Sequence, residues 1–220
     1  MKGRKFSAPL FLCGQFPKGD VMKLCYSALS PFVRKVRITA IEKHLMDEIE
    51  IVDSDHSDMF KGINPANPLG KVPSLTLDTG DVLFDSFVIC EYLDSVGSGP
   101  SLFPTEGLER ARVLTLHAMA NGMTDAAYQR RVDSIMPEGE GSPSWNNRLK
   151  LAMERCLDEM EKQADGYGDT VNIGTIAVGC ALGYHDFRFG AEQWRNNRPK
   201  LAAWYEKFSA RPSLAQTAPA

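Results

Sequence analysis

The sequence predicts a protein in two parts, a small α/β domain followed by an all-α domain. Strand and helix patterns alternate between residues 22 and 97, and after Gly97-Ser-Gly-Pro100 the strand patterns give way to long helical ones. The order strand, helix, strand implies two parallel strands joined by a right-handed crossover. We therefore predict an α/β domain over 22–97 and a helical domain over 103–220.

Hydrophobic periodicity defines the elements of the α/β part. A period of two predicts strands, and apolar residues three or four apart predict helices. Because Glu48–Val52 alternates apolar and charged residues, it is predicted to be a half-buried strand. The predicted elements are a strand at Met22–Tyr26, a helix from Pro31 to about Leu45, a strand at Glu48–Val52, a hairpin of Val72–Leu77 with Val82–Phe84, and a helix from Ser86 to about Val96.

The rest of the chain divides into an N-terminal segment and a run of helices. Residues 1–21 lack the regular pattern that begins at Met22, and we predict an extension outside the fold. Proline at first-turn positions and Gly-rich breaks separate the later helices. These are predicted at roughly 106–134, 143–164, 172–188 and 198–209.

Composition narrows the class of protein. With 25 Lys and Arg against 28 Asp and Glu, the net charge of -3 argues against nucleic acid and anionic membranes as partners. The five cysteines are widely spread without a Cys-x-x-Cys pair, which predicts neither a disulfide framework nor a metal site and suits a cytoplasmic protein. No stretch reaches the roughly 18 apolar residues of a membrane span.

Ser30 and Pro31 stand at the start of the first helix, where serine is a good N-cap and proline a good first residue. One interpretation is capping alone. The other is that the Ser30 hydroxyl donates to an anionic thiol held at the positive end of the helix. Lowering a thiol pKa by one unit requires about 1.4 kcal/mol. A charge-assisted hydrogen bond supplies roughly 1.5–3 kcal/mol and a helix terminus about 0.3–1 kcal/mol, so no general base is needed.

Two further sites follow along the chain. In Lys71-Val72-Pro73 the proline stands at a strand start. It is either an ordinary strand-entry proline or a cis proline that turns the backbone of Val72 towards a peptide ligand. Asp85 and Ser86 open the second helix, and they either cap it or bind an amino acid headgroup. In that second interpretation Ser86 and backbone amides hold the carboxylate, and Asp85 accepts from the ammonium.

These sites belong to three motifs that occur in a fixed order. The motifs are Ser30-Pro-Phe-Val-Arg-Lys-Val-Arg37, then Asn64-Pro65 with Gly70-Lys-Val-Pro-Ser-Leu75, then Phe84-Asp-Ser86 with Ile89-Cys-Glu-Tyr-Leu93. Together they closely resemble the N-terminal domain of bacterial glutathione S-transferases. Ala181–Arg188, Leu201–Tyr205 and Arg211–Ser213 resemble the helical domain of the same family. The likeness runs from Met22 to the C-terminus and leaves residues 1–21 outside.

The resemblance implies a thioredoxin-like domain followed by a helical bundle, in a homodimer that binds glutathione between its subunits. It also implies an enzyme of detoxification with glutathione as co-substrate and a hydrophobic electrophile as second substrate, without a metal. Carried over by matching motif, Ser30 is the catalytic residue that stabilises the glutathione thiolate.

The other site residues carry over in the same way. Val72 pairs with the cysteinyl backbone of glutathione beside cis-Pro73, and Asp85 with Ser86 holds the γ-glutamyl end. Lys71 is a weaker candidate for binding the glycyl carboxylate.

Two alternatives stay open at this point. Some serine-type relatives place the active hydroxyl at a shifted position, which makes Ser27 a second candidate beside Ser30. The chain is alternatively a binding or regulatory protein that keeps the fold without transferase activity.

Two more expectations concern helices rather than the site. Where the family commonly has an acidic residue three positions after a helix cap, this chain has Asn172 followed by Thr175, which is expected to weaken a folding nucleus. Arg34, Lys35 and Arg37 are predicted to form a solvated face of the first helix.

Overall fold

The computed structural model describes residues 21–54 and 64–219. The predicted N-terminal extension, apart from Val21, lies outside the described residues. Within the described ranges, the chain first forms four strands and two helices, up to Val96. From there on it forms helices alone. None of the described helices is both long enough and apolar enough to cross a membrane.

The strands form one mixed sheet in the order β2-β1-β3-β4. β1 pairs in parallel with β2, whereas β3 runs antiparallel to both β1 and β4. The elements are β1 (Met22–Tyr26), α1 (Pro31–Glu42), β2 (Ile49–Asp53), β3 (Ser74–Thr76), β4 (Val82–Leu83) and α2 (Ser86–Val96). The parallel β1-α1-β2 unit followed by a hairpin and a helix confirms the thioredoxin-like prediction.

The second and third predicted strands differ from the structure in detail. β2 is only partly the half-buried strand that its alternation predicts, because Ile49 is buried but Ile51 is 40% exposed. Among the described residues, β2 pairs only with β1 at the edge of the sheet, so its outer residues have less of the described fold to pack against. β3 begins at Ser74 rather than Val72, since the residues around Pro73 do not join the ladder.

The helical part is built around α5, which is buried from Ile173 through His185. A helix that is apolar on all sides belongs in the interior, and α5 packs against α1, α3 and α6. The helices are α3 (Gly107–Asp133), α4 (Pro143–Gln163), α5 (Ile173–Phe189), α6 (Pro199–Ser209) and the short α7 (Pro212–Ala215). The predicted helical bundle is therefore confirmed.

A buried ion pair anchors the linker between the α/β part and the helical part. Lys43 Nζ lies 3.1 Å from Asp94 Oδ1, and both side chains are almost fully buried. Lys43 also donates to the carbonyls of Gly99 and Pro100, while Asp94 accepts from the backbone N–H of Leu102. The predicted domain boundary at 97–103 falls within this tethered segment.

The prediction of a solvated face on α1 is wrong for two of its three residues. Arg34 is buried and donates from Nη2 to the carbonyl of Leu214 at 3.1 Å. Lys35 is buried against α3. Only Arg37 is partly exposed. α5 and α7 cover α1, so the face that would be open in an isolated α/β domain lies in the interior.

The start of α5 carries a complete capping box. Asn172 Oδ1 accepts from the Thr175 N–H at 3.0 Å, and Thr175 Oγ1 accepts from the Asn172 N–H at 3.0 Å. The threonine hydroxyl thus makes the bond that an acidic side chain makes in the usual box. The absence of an acidic residue here removes no capping hydrogen bond.

We predict that Asn172→Ala lowers the free energy of unfolding by about 0.5–2 kcal/mol, because a buried helix start loses its acceptor. Urea denaturation followed by circular dichroism measures the change. Asn147→Ala, at an exposed position inside α4, is the matched control and should shift stability by less than about 0.5 kcal/mol. Equal midpoints for the two variants would contradict the prediction.

Candidate active site

The strand register brings three loops to one end of the sheet. Cys25, one residue before the end of β1, pairs with Ser74, the first residue of β3. β4 runs antiparallel to β3, and its last residue, Leu83, pairs with Leu75. The loop after β1, the turn before β3 and the loop after β4 therefore meet at the same end of the sheet. These three segments contain the residues that the sequence predicts as the site.

Ser30 is the N-cap of α1, as predicted. Its Oγ accepts from the Val33 N–H at 3.3 Å, and the side chain is half-buried. Because a hydroxyl accepts and donates at once, this cap leaves the Ser30 proton free for a ligand. The alternative residue, Ser27, is buried, and its carbonyl accepts from the Ser30 N–H at 3.1 Å. Of the two hydroxyls, the one of Ser30 is more accessible.

The Val72-Pro73 peptide bond is cis, and Pro73 is buried. Within the described ranges, neither the N–H nor the C=O of Val72 makes a hydrogen bond to the protein. Both groups precede β3 at the sheet end where Ser30 lies. They are therefore available to pair with an extended ligand backbone.

Two asparagines hold this turn, and the sequence reasoning assigned neither of them a role. The Nδ2 groups of Asn64 and Asn67 each donate to the carbonyl of Lys71 at 2.9 Å. Asn64 also donates to Ser74 Oγ at 2.7 Å, and both asparagines are buried. Their Oδ1 atoms accept from backbone N–H groups two residues further on, which is the local turn that asparagine favours. The repeated Asn-x-x-Asn spacing in a proline-rich loop was the available signal.

Asp85 is the N-cap of α2, and its Oδ1 accepts from the Phe87 N–H at 2.9 Å. The Asp85 side chain is exposed, so its second oxygen is open to a ligand, whereas Ser86 is 2% exposed. The Phe84-Asp85 peptide bond is also cis. Lys71 is exposed at the neighbouring turn. The capping interpretations of Ser30 and Asp85 are therefore correct, and the geometry leaves both residues able to bind a ligand as well.

A narrow cleft lies directly beside Ser30, between the loop after β1 and the helical part. Its walls are residues 28–31, Arg34, Cys180, Tyr184 and Pro219. A wider cleft of about 470 Å³ lies elsewhere, between α3, the end of α4 and the start of α5. None of the predicted site residues lines that wider cleft. We therefore assign the chemistry to the sheet end and not to the larger opening.

The four described cysteines are free thiols, and none of them occupies the start of α1. Burial raises the pKa of Cys25, Cys90, Cys156 and Cys180 above the ordinary value, for Cys90 to about 11. At neutral pH these side chains are protonated thiols. Among the described residues, no cysteine therefore supplies a thiolate to the site.

We predict that Asn64→Ala lowers the free energy of unfolding by about 1–3 kcal/mol, because it leaves the buried Ser74 hydroxyl without its donor. Asn67→Ala is the matched comparison and should cost less, since the Lys71 carbonyl keeps its bond to Asn64. Urea denaturation of both variants gives the order. A larger loss for Asn67→Ala would contradict this account of the turn.

Known proteins are similar to this one over most of its length. A family model for the glutathione S-transferase N-terminal domain matches residues 29–96, and one for the C-terminal domain matches residues 143–207. The chain is 37% identical over 201 residues to the uncharacterized GST-like protein YibF of Escherichia coli (strain K12), covering 90% of this chain and 98% of that protein. It is 30% identical to protein LigF of Sphingobium, covering 81% of this chain and 85% of that protein.

Solved structures give the same result. A glutathione transferase family member from Pseudomonas fluorescens Pf-5 with bound glutathione matches with a TM-score of 0.85 and 36% identity, covering 90% of this chain and 99% of that one. A glutathione S-transferase from Methylobacillus flagellatus with GSH bound matches with a TM-score of 0.82 and 34% identity, covering 90% and 100%.

Proposed function

The chain belongs to the glutathione S-transferase family, and from this premise we propose that it binds glutathione at the sheet end and transfers it to a hydrophobic electrophile. The observation that carries the proposal is Ser30, a half-buried cap at the start of α1 whose hydroxyl proton is free. The bound glutathione in two similar structures supports the same ligand here.

Catalysis in this proposal is stabilisation of the glutathione thiolate. The Ser30 hydroxyl donates a hydrogen bond to the sulfur, while its oxygen still accepts from the Val33 N–H. The hydrogen bond contributes roughly 1.5–3 kcal/mol and the helix terminus about 0.3–1 kcal/mol, which together are enough to lower the thiol pKa by about two units. Holding the thiolate beside the electrophile supplies the rest of the rate enhancement.

The remaining site residues bind the peptide and do not take part in bond making. Val72, beside the cis peptide at Pro73, pairs through its free backbone groups with the cysteinyl residue of glutathione. Asp85 accepts from the γ-glutamyl ammonium, and Ser86 with the first amides of α2 holds the neighbouring carboxylate. Lys71 binds the glycyl carboxylate.

The proposal extends to the second substrate and to assembly. Cys180 and Tyr184 of α5 form one wall of the cleft beside Ser30, so we place the electrophile on the side of the sheet end that faces the helical part. We propose a cytoplasmic homodimer with a role in detoxification, as the family resemblance implies. The competing hypothesis is a protein that binds glutathione without turnover.

Calorimetry on glutathione, followed by assays with generic electrophiles, separates these hypotheses. We expect binding in the micromolar to millimolar range and conjugation that saturates with glutathione. Binding without turnover of any electrophile would favour the non-catalytic alternative. Absence of binding at millimolar glutathione would contradict both.

For Ser30→Ala we predict a roughly 10- to 100-fold loss of kcat/KM for conjugation, because the thiolate loses its charge-assisted hydrogen bond. The pKa of bound glutathione, measured from thiolate absorbance, should rise by about one to two units. Ser27→Ala is the matched control and should keep both values. Should Ser27→Ala show the loss instead, the active hydroxyl has been assigned to the wrong serine.

A further inference from the structure

Lys35 is a buried cation that no proposed step has used. Its side chain sits in α1, 2% exposed, and Nζ lies 2.9 Å from His117 Nε2 and 2.8 Å from Asn121 Oδ1. Burial lowers the pKa of His117 to about 3, so its imidazole is neutral and accepts from Lys35. In the part of the chain that the structure describes, no carboxylate forms an ion pair with Lys35. Its charge is therefore not cancelled by a direct partner.

His117 links Lys35 to the start of α2. The rings of His117 and Phe87 pack with their centroids 4.9 Å apart. Phe87 is the residue whose N–H Asp85 caps at 2.9 Å. Lys35 thus lies behind the first turn of α2, on the interior side of the segment that carries Asp85 and Ser86.

Two carboxylates, Asp85 and Asp125, influence the pKa of Lys35. Burial lowers the pKa of Lys35, and the negative charges of Asp85 and Asp125 oppose that shift. Asp125 lies one turn beyond Asn121, whose Nδ2 donates to it at 3.3 Å. Asp85 and Asp125 are both exposed, and Asp85 stands at the candidate headgroup site. Through His117 and Phe87, Lys35 is therefore in contact with the segment where the γ-glutamyl group is proposed to bind.

We propose that Lys35 is a positioning residue for the α-carboxylate of the γ-glutamyl group of glutathione, acting from behind the first turn of α2. The proposal rests on the proposed function. The ligand's ammonium neutralises Asp85, and the adjacent carboxylate then meets the start of α2, behind which the ammonium of Lys35 adds positive charge. A helix terminus alone presents about half a charge. A buried charge is screened less than an exposed one, so Lys35 strengthens this end of the site without touching the ligand.

A ligand that lacks only this carboxylate provides the test. Glutathione is compared by calorimetry with γ-aminobutyryl-cysteinylglycine, in which hydrogen replaces the α-carboxylate. For Lys35→Met we expect the Kd for glutathione to rise about tenfold, while the Kd for the analogue changes less than about twofold. Lys35→Arg, which keeps the charge, should retain most of the preference for glutathione.

Matched variants control for charge and for folding. Lys23→Met removes the same unit of charge from an exposed lysine of β1 and should leave both Kd values unchanged. If circular dichroism shows that Lys35→Met does not fold, Lys35→Gln replaces it, since the amide still donates to His117 or Asn121 without a charge.

The outcomes separate this inference from the proposed function. Equal weakening of both ligands in the folded neutral variant would mean a purely structural role for Lys35 and overturn the inference. Unchanged affinity for glutathione would overturn it as well. Failure of the wild-type protein to bind glutathione would instead remove the proposed function on which the inference rests.

Discussion

The burial of α1 between the sheet and the helical part is the constraint on which the site depends. The helix follows β1 directly, packs against α2, and is covered by α5 and α7. Arg34 reaches the backbone of α7, and Lys35 reaches α3. A helix packed against α2, α5 and α7 presents its N-terminus in one fixed position, which a preorganised anion site requires. Ser30, as the N-cap of α1, is held in that position as well.

The site is built from groups that also serve the fold. Ser30 and Asp85 each accept from a backbone N–H of the helix that they begin, and each keeps a further group that can bind a ligand, the hydroxyl proton of Ser30 and the second oxygen of Asp85. The turn at Val72 is held by buried asparagines, which leaves the backbone of Val72 itself unpaired with protein. Structural and binding roles are therefore not competing interpretations of these residues. The same geometry satisfies both.

The sequence was sufficient for most of this architecture because its signals are local. Periodicity located β1 and α2 to the residue, and the loss of strand patterns after Gly97 located the change to helices. Turn and cap residues marked the three segments of the site. The strand register then explains why these three segments meet. Because Cys25 pairs with Ser74 and Leu83 pairs with Leu75, the loops next to these residues lie at one end of the sheet.

What the sequence could not reveal depends on tertiary packing. Arg34 and Lys35 are charged, and charged residues of a helix are usually exposed to solvent. Both are nevertheless buried, because α5 and α7 cover α1. Ile51 follows the alternation of a buried strand and is nevertheless exposed, because no pattern along the chain shows that β2 lies at the sheet edge. Asn64 and Asn67 look like ordinary loop residues until their common acceptor, the Lys71 carbonyl, is located. In each case the deciding neighbour is distant in sequence or hidden by the turn.

The state of the described thiols has a chemical consequence for the proposed reaction with an electrophile. Protonated sulfur is a poor nucleophile, and the described cysteines are all held in that form by burial. In the proposed reaction, the electrophile meets no activated sulfur among the described cysteines and reacts with the sulfur of the bound tripeptide. The described thiols therefore do not compete with the proposed co-substrate for the electrophile.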